Sequence, residues 1–163
     1  MIESRSRTRF REIVSGPAFP LAEAALLVAC EEYPELEVER YLARIEGMAE
    51  RARGRVEEGG SLRTRVEALN GYLFGEEGFH GNNEDYYDPR NSFLNDVLDR
   101  RTGIPVTLSA VYMEVGRRCG LEVEGIGLPG HFIVGVRCSP RLDGGGEPQQ
   151  LVDPFHGGAL LSL

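Results

Sequence analysis

The chain has 163 residues, of which 41% are hydrophobic and 27% are charged, and this balance is typical of one globular domain with its own core. The net charge of −8 and the pI near 5.0 argue against nucleic-acid binding, because phosphate-binding surfaces are built from clustered Lys and Arg. No stretch approaches the roughly 20 consecutive apolar residues that span a bilayer, so we expect a soluble, cytoplasmic protein with no membrane partner.

The N-terminus and the cysteines give two further expectations. Residues 1–19 begin with an arginine-rich segment and are expected to form a solvated tail, while residues 20–163 form a single domain. The three cysteines are an odd number without C-x-x-C spacing, so a disulfide framework and a zinc ribbon are both disfavoured. We therefore expect reduced thiols at Cys30, Cys119 and Cys138.

Helical patterns fill the N-terminal part of the domain, which we predict to be a helical subregion over residues 20–75. Strong helix formers run over residues 21–30. An amphipathic stripe then recurs at intervals of three and four over residues 38–49. Ser61 is positioned to cap a third helix.

A loop and two further helices follow. The segment 75–89 is polar and glycine-rich and predicts a loop of roughly 15 residues, a length that is uncommon without a functional reason. Asn91 or Ser92 is expected to cap a short helix. Pro105 suits the first turn of the next helix, and Gly120 is placed to end it.

β-Branched residues beyond Gly120 predict three strands, over residues 121–128, 131–138 and 150–155. The interval 139–148 contains three consecutive glycines and predicts a flexible hairpin connection. Helices first and strands afterwards indicate an α+β fold, in which the N-terminal helices pack with a helix and an antiparallel sheet.

The spacing of these elements brings a histidine and an aspartate together. The helix from Pro105 is about 20 Å long, so a strand that runs back along it returns His131 to the helix N-terminus. His131 and Asp153 are symmetric about residue 142, so we expect them to face each other across an antiparallel pair. A helix N-terminus lowers the pKa of a thiol, and cysteine hydrolases often have their nucleophile there.

No thiol is present at that helix N-terminus. Residues 103–112 offer only Thr107 and Ser109 as aliphatic hydroxyls. Cys119 lies at the other end of the helix, roughly 18 Å from Thr107, and cannot share a proton with His131 at that distance. We expect Cys30 and Cys119 to be small buried apolar residues, and Cys119 to be unreactive.

Four motifs carry a family resemblance: DPRNSFLN over residues 88–95, RRTGIP over 100–105, GLPGHF over 127–132 and VDPFHGG over 152–158. Together they resemble the SirB-type branch of the transglutaminase-like superfamily. The resemblance covers most of the chain from about residue 20.

The resemblance implies a papain-like fold and a remnant of a catalytic triad. Transglutaminase-like enzymes are thiol catalysts that work through Cys, His and Asp, which implies that His131 and Asp153 take the last two positions. The Cys position falls at residues 105–107, where Thr107 would complete the remnant. We also predict binding positions in the motifs and on the helix: Asn91, Asn95, Tyr112, Pro129 and Gly130.

Members of this branch commonly lack the cysteine, have no well-established activity and often continue into a helical tetratricopeptide-like region. The end of the sequence at Leu163 is therefore expected of either a naturally short member or a truncated chain. The apolar run over residues 159–163 needs cover. We expect Leu163 to pack against a neighbour, or this end to promote association into a homo-oligomer.

Each candidate residue also has a structural interpretation. His131 could bond backbone groups in the core, Asp153 before Pro154 could be a turn residue, and Thr107 could cap its helix. His131, Asp153 and His156 would supply two imidazoles and a carboxylate, a set known for iron and zinc. Because that spacing is not diagnostic, neither a metal nor another cofactor is expected.

Two functions follow from these observations. The first is a non-catalytic binding or scaffolding domain that takes a protein or peptide partner, at the cleft near His131 or at the apolar C-terminal end. The second is a hydrolase or acyl transferase that uses His131 and Asp153 with a non-cysteine nucleophile.

Overall fold

The fold is α+β, with helices that precede and flank an antiparallel sheet, as the sequence predicts. The structure is a computed structural model, and it describes residues 4–57, 60–138 and 149–162. None of the helices in these residues is both long and apolar enough to cross a membrane. The helices are α1 Arg5–Val14, α2 Leu21–Ala29, α3 Val38–Glu57, α4 Leu62–Asn70, α5 Leu94–Arg100 and α6 Pro105–Arg118.

The strands form one small and one larger sheet. They are β1 His80–Gly81, β2 Thr102–Gly103, β3 Leu121–Leu128, β4 His131–Cys138, β5 Gln150–Asp153 and β6 Ala159–Leu161. β1 and β2 are a short parallel pair. The larger sheet has the order β3-β4-β5-β6, with every neighbour antiparallel. Its strand order therefore follows the chain.

Helix α6 joins the two layers of the fold, since it packs against α3 and also against β3 and β4. Pro105 begins it as predicted, and Gly120 follows its end with a positive φ of 78°. Gly116 lets β3 come close, because a Cβ at this position would lie 2.9 Å from a methyl carbon of Val123. Three buried aliphatic side chains of α6 each stabilise the fold by about 1.5–3 kcal/mol. They are Leu108, Val111 and Val115.

The N-terminal segment differs from the solvated tail expected over residues 1–19. Residues 5–14 form α1, which Ser4 caps and which packs against α2. Arg9 joins the helix to the domain through ion pairs with Glu23, at 2.6 Å, and Glu39, at 2.7 Å. These partners are 14 and 30 residues away in sequence, so no local pattern reveals them.

Two element ends also differ from the sequence-based expectation. Neither Asn91 nor Ser92 caps α5, whose first flanking residue is Phe93 and which has no side-chain cap. Asn91 instead belongs to a 3-10 turn over Pro89–Asn91. The strand expected over 150–155 ends at Asp153, because Pro154 begins a second 3-10 turn there. The predicted hairpin connection over 139–148 lies outside the described residues.

The apolar C-terminal end is partly covered by the domain itself. β6 pairs with β5, and Leu160 packs against the hydrophobic core. Leu161 is 38% exposed. Leu163 lies outside the described residues, and association through this end stays a prediction.

Cys119 gives a test of the packing at the far end of α6. Its side chain is only 2% exposed, as expected, whereas Cys30, also expected to be buried, has intermediate exposure, as does Cys138. Under native conditions a maleimide should modify Cys30 and Cys138 well before Cys119, because a buried thiolate is reached only when the fold opens. Peptide mapping by mass spectrometry gives the order, and in urea all three should react. Rapid native labelling of Cys119 would contradict this packing.

Candidate functional site

His131 and Asp153 form the predicted hydrogen-bonded pair. The Nε2 atom of His131 lies 2.7 Å from Oδ2 of Asp153. The register pairs Val134 with Val152, and continuing it by one residue sets Asp153 opposite Ile133 rather than His131. This register differs by two residues from the one symmetric about residue 142. Because the shift is even, both side chains stay on the same face of the sheet and meet diagonally.

The carboxylate of Asp153 is buried and held from several sides. Its Oδ1 atom accepts hydrogen bonds from the backbone N–H groups of Phe155, at 3.1 Å, and His156, at 3.3 Å. Its Oδ2 atom also accepts a hydrogen bond from a second imidazole, that of His156, whose Nδ1 atom lies 2.8 Å away. Burial raises the pKa of Asp153, but the hydrogen bonds from His156 and His131 outweigh it and hold the pKa below its usual value. The group is therefore a carboxylate at neutral pH.

Aromatic rings enclose this cluster. The Phe155 ring lies edge-on to both imidazoles. Its centroid is 6.3 Å from the ring centroid of His131 and 5.1 Å from that of His156. Tyr86, from the long polar loop, packs edge-on against Phe155, with the two ring centroids 5.9 Å apart. Gly81 lies so close to the Phe155 ring that a Cβ would come within 2.6 Å of it. The loop is therefore packed against the His-Asp cluster through Phe155.

Thr107 acts as a helix-capping residue in this structure. Its Oγ1 atom accepts a hydrogen bond from the backbone N–H of Ile104, at 3.1 Å, and approaches the carbonyl of Asn91 at 2.7 Å as a donor. Over the described part of the chain, no hydrogen bond joins Thr107 to His131. The structure thus brings together two members of the predicted remnant triad and gives the third a different partner.

The candidate binding residues divide into buried and exposed groups. Asn91 and Tyr112 have no exposed surface, Asn95 is 4% exposed, and Pro129 and Gly130 lie in the exposed turn between β3 and β4. Burial raises the pKa of Tyr112 far above its usual value. Asn91 has a structural role, whereas Oδ1 of Asn95 and the hydroxyl of Tyr112 are buried without a hydrogen-bond partner among the described residues. Ligand binding by any of the five stays a prediction.

Asn91 organises the long loop. Its Nδ2 donates to the carbonyl oxygens of Asp85, at 2.9 Å, and Tyr86, at 3.0 Å, and its Oδ1 accepts from Asn82 at 3.1 Å. The amide thus orders residues 82–86 of the loop predicted over 75–89. The rest of that range differs from the prediction, because its first residues end a π-helix over Gly71–Glu76 and His80–Gly81 form β1. Sequence patterns do not reveal the bonds of Asn91, because these depend on the tertiary path of the loop.

His156 and Phe155 complete a cluster that sequence analysis considered only in part. His156 follows Asp153 by three residues, within the 3-10 turn Pro154–His156, and this spacing returns its ring to the carboxylate. The sequence signal for it is the Asp-Pro-Phe-His string at the end of a predicted strand. Phe155 carries no such signal, since its role depends on the two rings that it contacts.

Comparison with known proteins identifies the family. The profile described as "Transglutaminase-like superfamily" matches residues 39–163. The chain belongs to this superfamily, in its SirB-type branch. The chain spans about half the length of the UPF0162 relatives that it matches over most of its own length. No solved structure matches it at a significant level.

Three relatives show the range of the similarity. A UPF0162 protein of Xylella fastidiosa (strain Temecula1) is 41% identical over 148 residues, which cover 91% of this chain and 50% of the relative. A UPF0162 protein of Vibrio cholerae is 31% identical over 140 residues, which cover 86% of this chain and 50% of the relative. The F-box only protein 21 of Mus musculus is 39% identical over 69 residues, covering 42% of this chain and 11% of that protein.

Substitution of Asn91 tests how the loop is held. Asn91→Ala leaves two loop carbonyls and the Asn82 amide without their partner, so we expect it to lower the free energy of unfolding by about 2–4 kcal/mol. Urea denaturation measures this change. Asn83→Ala is the matched control, because its side chain makes one long bond of 3.5 Å at an exposed position. Equal small effects of the two substitutions would show that the loop does not depend on Asn91.

Proposed function

We propose that this domain is a non-catalytic binding domain for a protein or peptide partner. The observation that carries the proposal is the first turn of α6, where Pro105, Val106 and Thr107 provide no thiol at the position that the family resemblance assigns to the nucleophile. The family's chemistry depends on a nucleophile at this place. The chain has kept the orienting histidine and aspartate in contact without it.

The hydroxyl of Thr107 is a poor substitute for the thiol. An alcohol becomes a nucleophile when an adjacent base takes its proton, which requires the base within hydrogen-bonding distance. The carbonyl oxygens within reach of the Thr107 hydroxyl, those of Asn91 at 2.7 Å and Ile104 at 3.2 Å, are backbone acceptors and not bases. Ser109, the other hydroxyl near this helix end, is fully buried. Both observations favour binding over catalysis.

A set of exposed apolar side chains, here called the apolar rim, belongs to segments that are connected to the His-Asp pair by contacts or along the chain, and it supports a binding role. We define it as Tyr86, Tyr87, Val106 and Leu128, which are 40%, 90%, 49% and 43% exposed. These are four of the seven large hydrophobic side chains that are exposed among the described residues. Exposed apolar clusters with a polar centre are typical of protein interaction sites.

Contacts between the segments keep the rim together. The turn that follows Leu128 returns the chain to His131, its register partner. Tyr86 reaches the cluster through Phe155. Val106 belongs to the first turn of α6, which Thr107 ties to the loop. We infer that a partner covering these segments would also reach the His-Asp pair.

Covalent probes distinguish this proposal from a hydrolase or acyl transferase. We expect neither a fluorophosphonate nor an acyl-donor probe to label Thr107 or Ser109, because neither hydroxyl is activated. Peptide mapping of the probe-treated chain locates any adduct. Labelling at Thr107 that His131→Ala abolishes would establish the alternative function, in which His131 is the base, and would overturn the proposal.

Peptide selection tests binding at the rim directly. Peptides selected from a displayed random library on the wild-type domain should bind a double variant, Val106→Glu with Leu128→Glu, about tenfold or more weakly, since buried interface side chains dominate affinity. Val28→Glu is the matched control, because Val28 is 50% exposed on α2. Binding that falls equally in the control, or does not fall in the double variant, would contradict the rim as the binding surface.

A further inference from the structure

Three side chains form a cluster with the composition of a metal site. His131 Nε2, Asp153 Oδ2 and His156 Nδ1 each offer one ligand atom, and these atoms lie within 4.8 Å of one another. The set contains two of the three histidines in the chain. The proposed binding function requires neither the second imidazole nor its contact with the carboxylate.

The bonding inside this cluster is unusual for a purely structural carboxylate. Two imidazoles converge on the single atom Oδ2 of Asp153, at 2.7 Å and 2.8 Å. Without a metal, each imidazole must carry a proton on the nitrogen that faces this oxygen. One cation between the three atoms would satisfy all of them at once. Two imidazoles with one carboxylate is a ligand set that proteins use for zinc and for non-haem iron.

We propose that His131, Asp153 and His156 bind a divalent transition-metal ion such as zinc. Binding requires no oxidant and releases no net proton from neutral imidazoles, because the proton of each ring moves to the other ring nitrogen. The lone pairs of Nε2 of His131 and Nδ1 of His156 then face the metal. The carboxylate of Asp153 supplies the third ligand and one negative charge.

The geometry needs only small side-chain movements. Ligand atoms about 2.0–2.1 Å from a tetrahedral zinc lie about 3.3 Å from one another. The two hydrogen-bonded distances are shorter than this value and must lengthen slightly around the ion, while all three ligand atoms already lie within 4.8 Å of one another. The side chain of His156 is 60% exposed and is free to make this movement, whereas that of Asp153 is 8% exposed.

The surroundings resemble the supporting shell of a metal site. Oδ1 of Asp153 is fixed by two backbone N–H groups, of Phe155 and His156, which orients Oδ2 toward the imidazoles. The Phe155 ring packs against both imidazoles and shields one side. The exposure of His156 leaves the opposite side accessible, so a water molecule or a partner group would complete the coordination.

Calorimetric titration of zinc into the full chain tests this site. We expect one zinc per chain, and binding about tenfold or more weaker in His156→Ala and in His131→Ala. His80→Ala is the matched control, because His80 is the remaining histidine, exposed, and bonded to Gly78 and Thr102. Circular dichroism confirms that each variant is folded. Absence of zinc binding by the wild type, or an equal loss in His80→Ala, would overturn the proposal.

Cobalt substitution identifies the ligands independently. The cobalt form should show visible absorption typical of nitrogen and oxygen ligands, and His156→Ala should abolish it. Thiolate charge-transfer bands would contradict the site, because they would place the ion on a cysteine. Peptide binding at the rim is measured separately in the presence of a chelator, so failure of the metal site and failure of the proposed function are distinguishable.

Discussion

The rest of the site depends on the buried carboxylate of Asp153. A buried charge is tolerated only when it is paired and hydrogen-bonded, and this one accepts four bonds. Those bonds start the 3-10 turn after β5, fix the ring of His156 and hold His131 at the start of β4. This 3-10 turn places Phe155 between the two imidazoles and the loop. Removal of this carboxylate would leave the donors of all four bonds without their acceptor.

A second set of bonds connects the other side of the site. The hydroxyl of Thr107 links α6 to the carbonyl of Asn91, and the amide of Asn91 orders the loop that carries Tyr86. Tyr86 then contacts Phe155 and so closes a path back to Asp153. These contacts fix the positions of the loop, the N-terminus of α6 and the end of β5 relative to one another. A long polar loop of this kind keeps its shape because its carbonyl groups find partners inside it.

The sequence predicts the elements whose signal is local and misses those whose signal is tertiary. Residues that start and end α6 are visible in the string, as is the period of β3 and β4. The expected pairing of β4 with β5 is two residues out of register. The His131–Asp153 pair still forms, because a shift by an even number of residues leaves both side chains on the same face of the sheet. α1 was not expected, because the acidic partners of Arg9 lie far along the chain. Asn91 was expected to cap a helix, whereas its bonds to the loop depend on the folded path. β6 is a three-residue edge strand, too short to show alternation.

The tautomer of His131 connects these observations to function. Asp153 is ionised, so Nε2 of His131 must donate the hydrogen bond between them, and Nδ1 is left as the only basic atom of the ring. A base in that position is useful for catalysis only if a proton donor faces it. The nearest family position for such a donor holds no thiol, and the hydroxyl of Thr107 is directed to Asn91. His156 meanwhile shares the carboxylate that would otherwise orient His131 alone. The cluster thus combines a buried carboxylate with two imidazoles, while residues 105–107 carry no thiol.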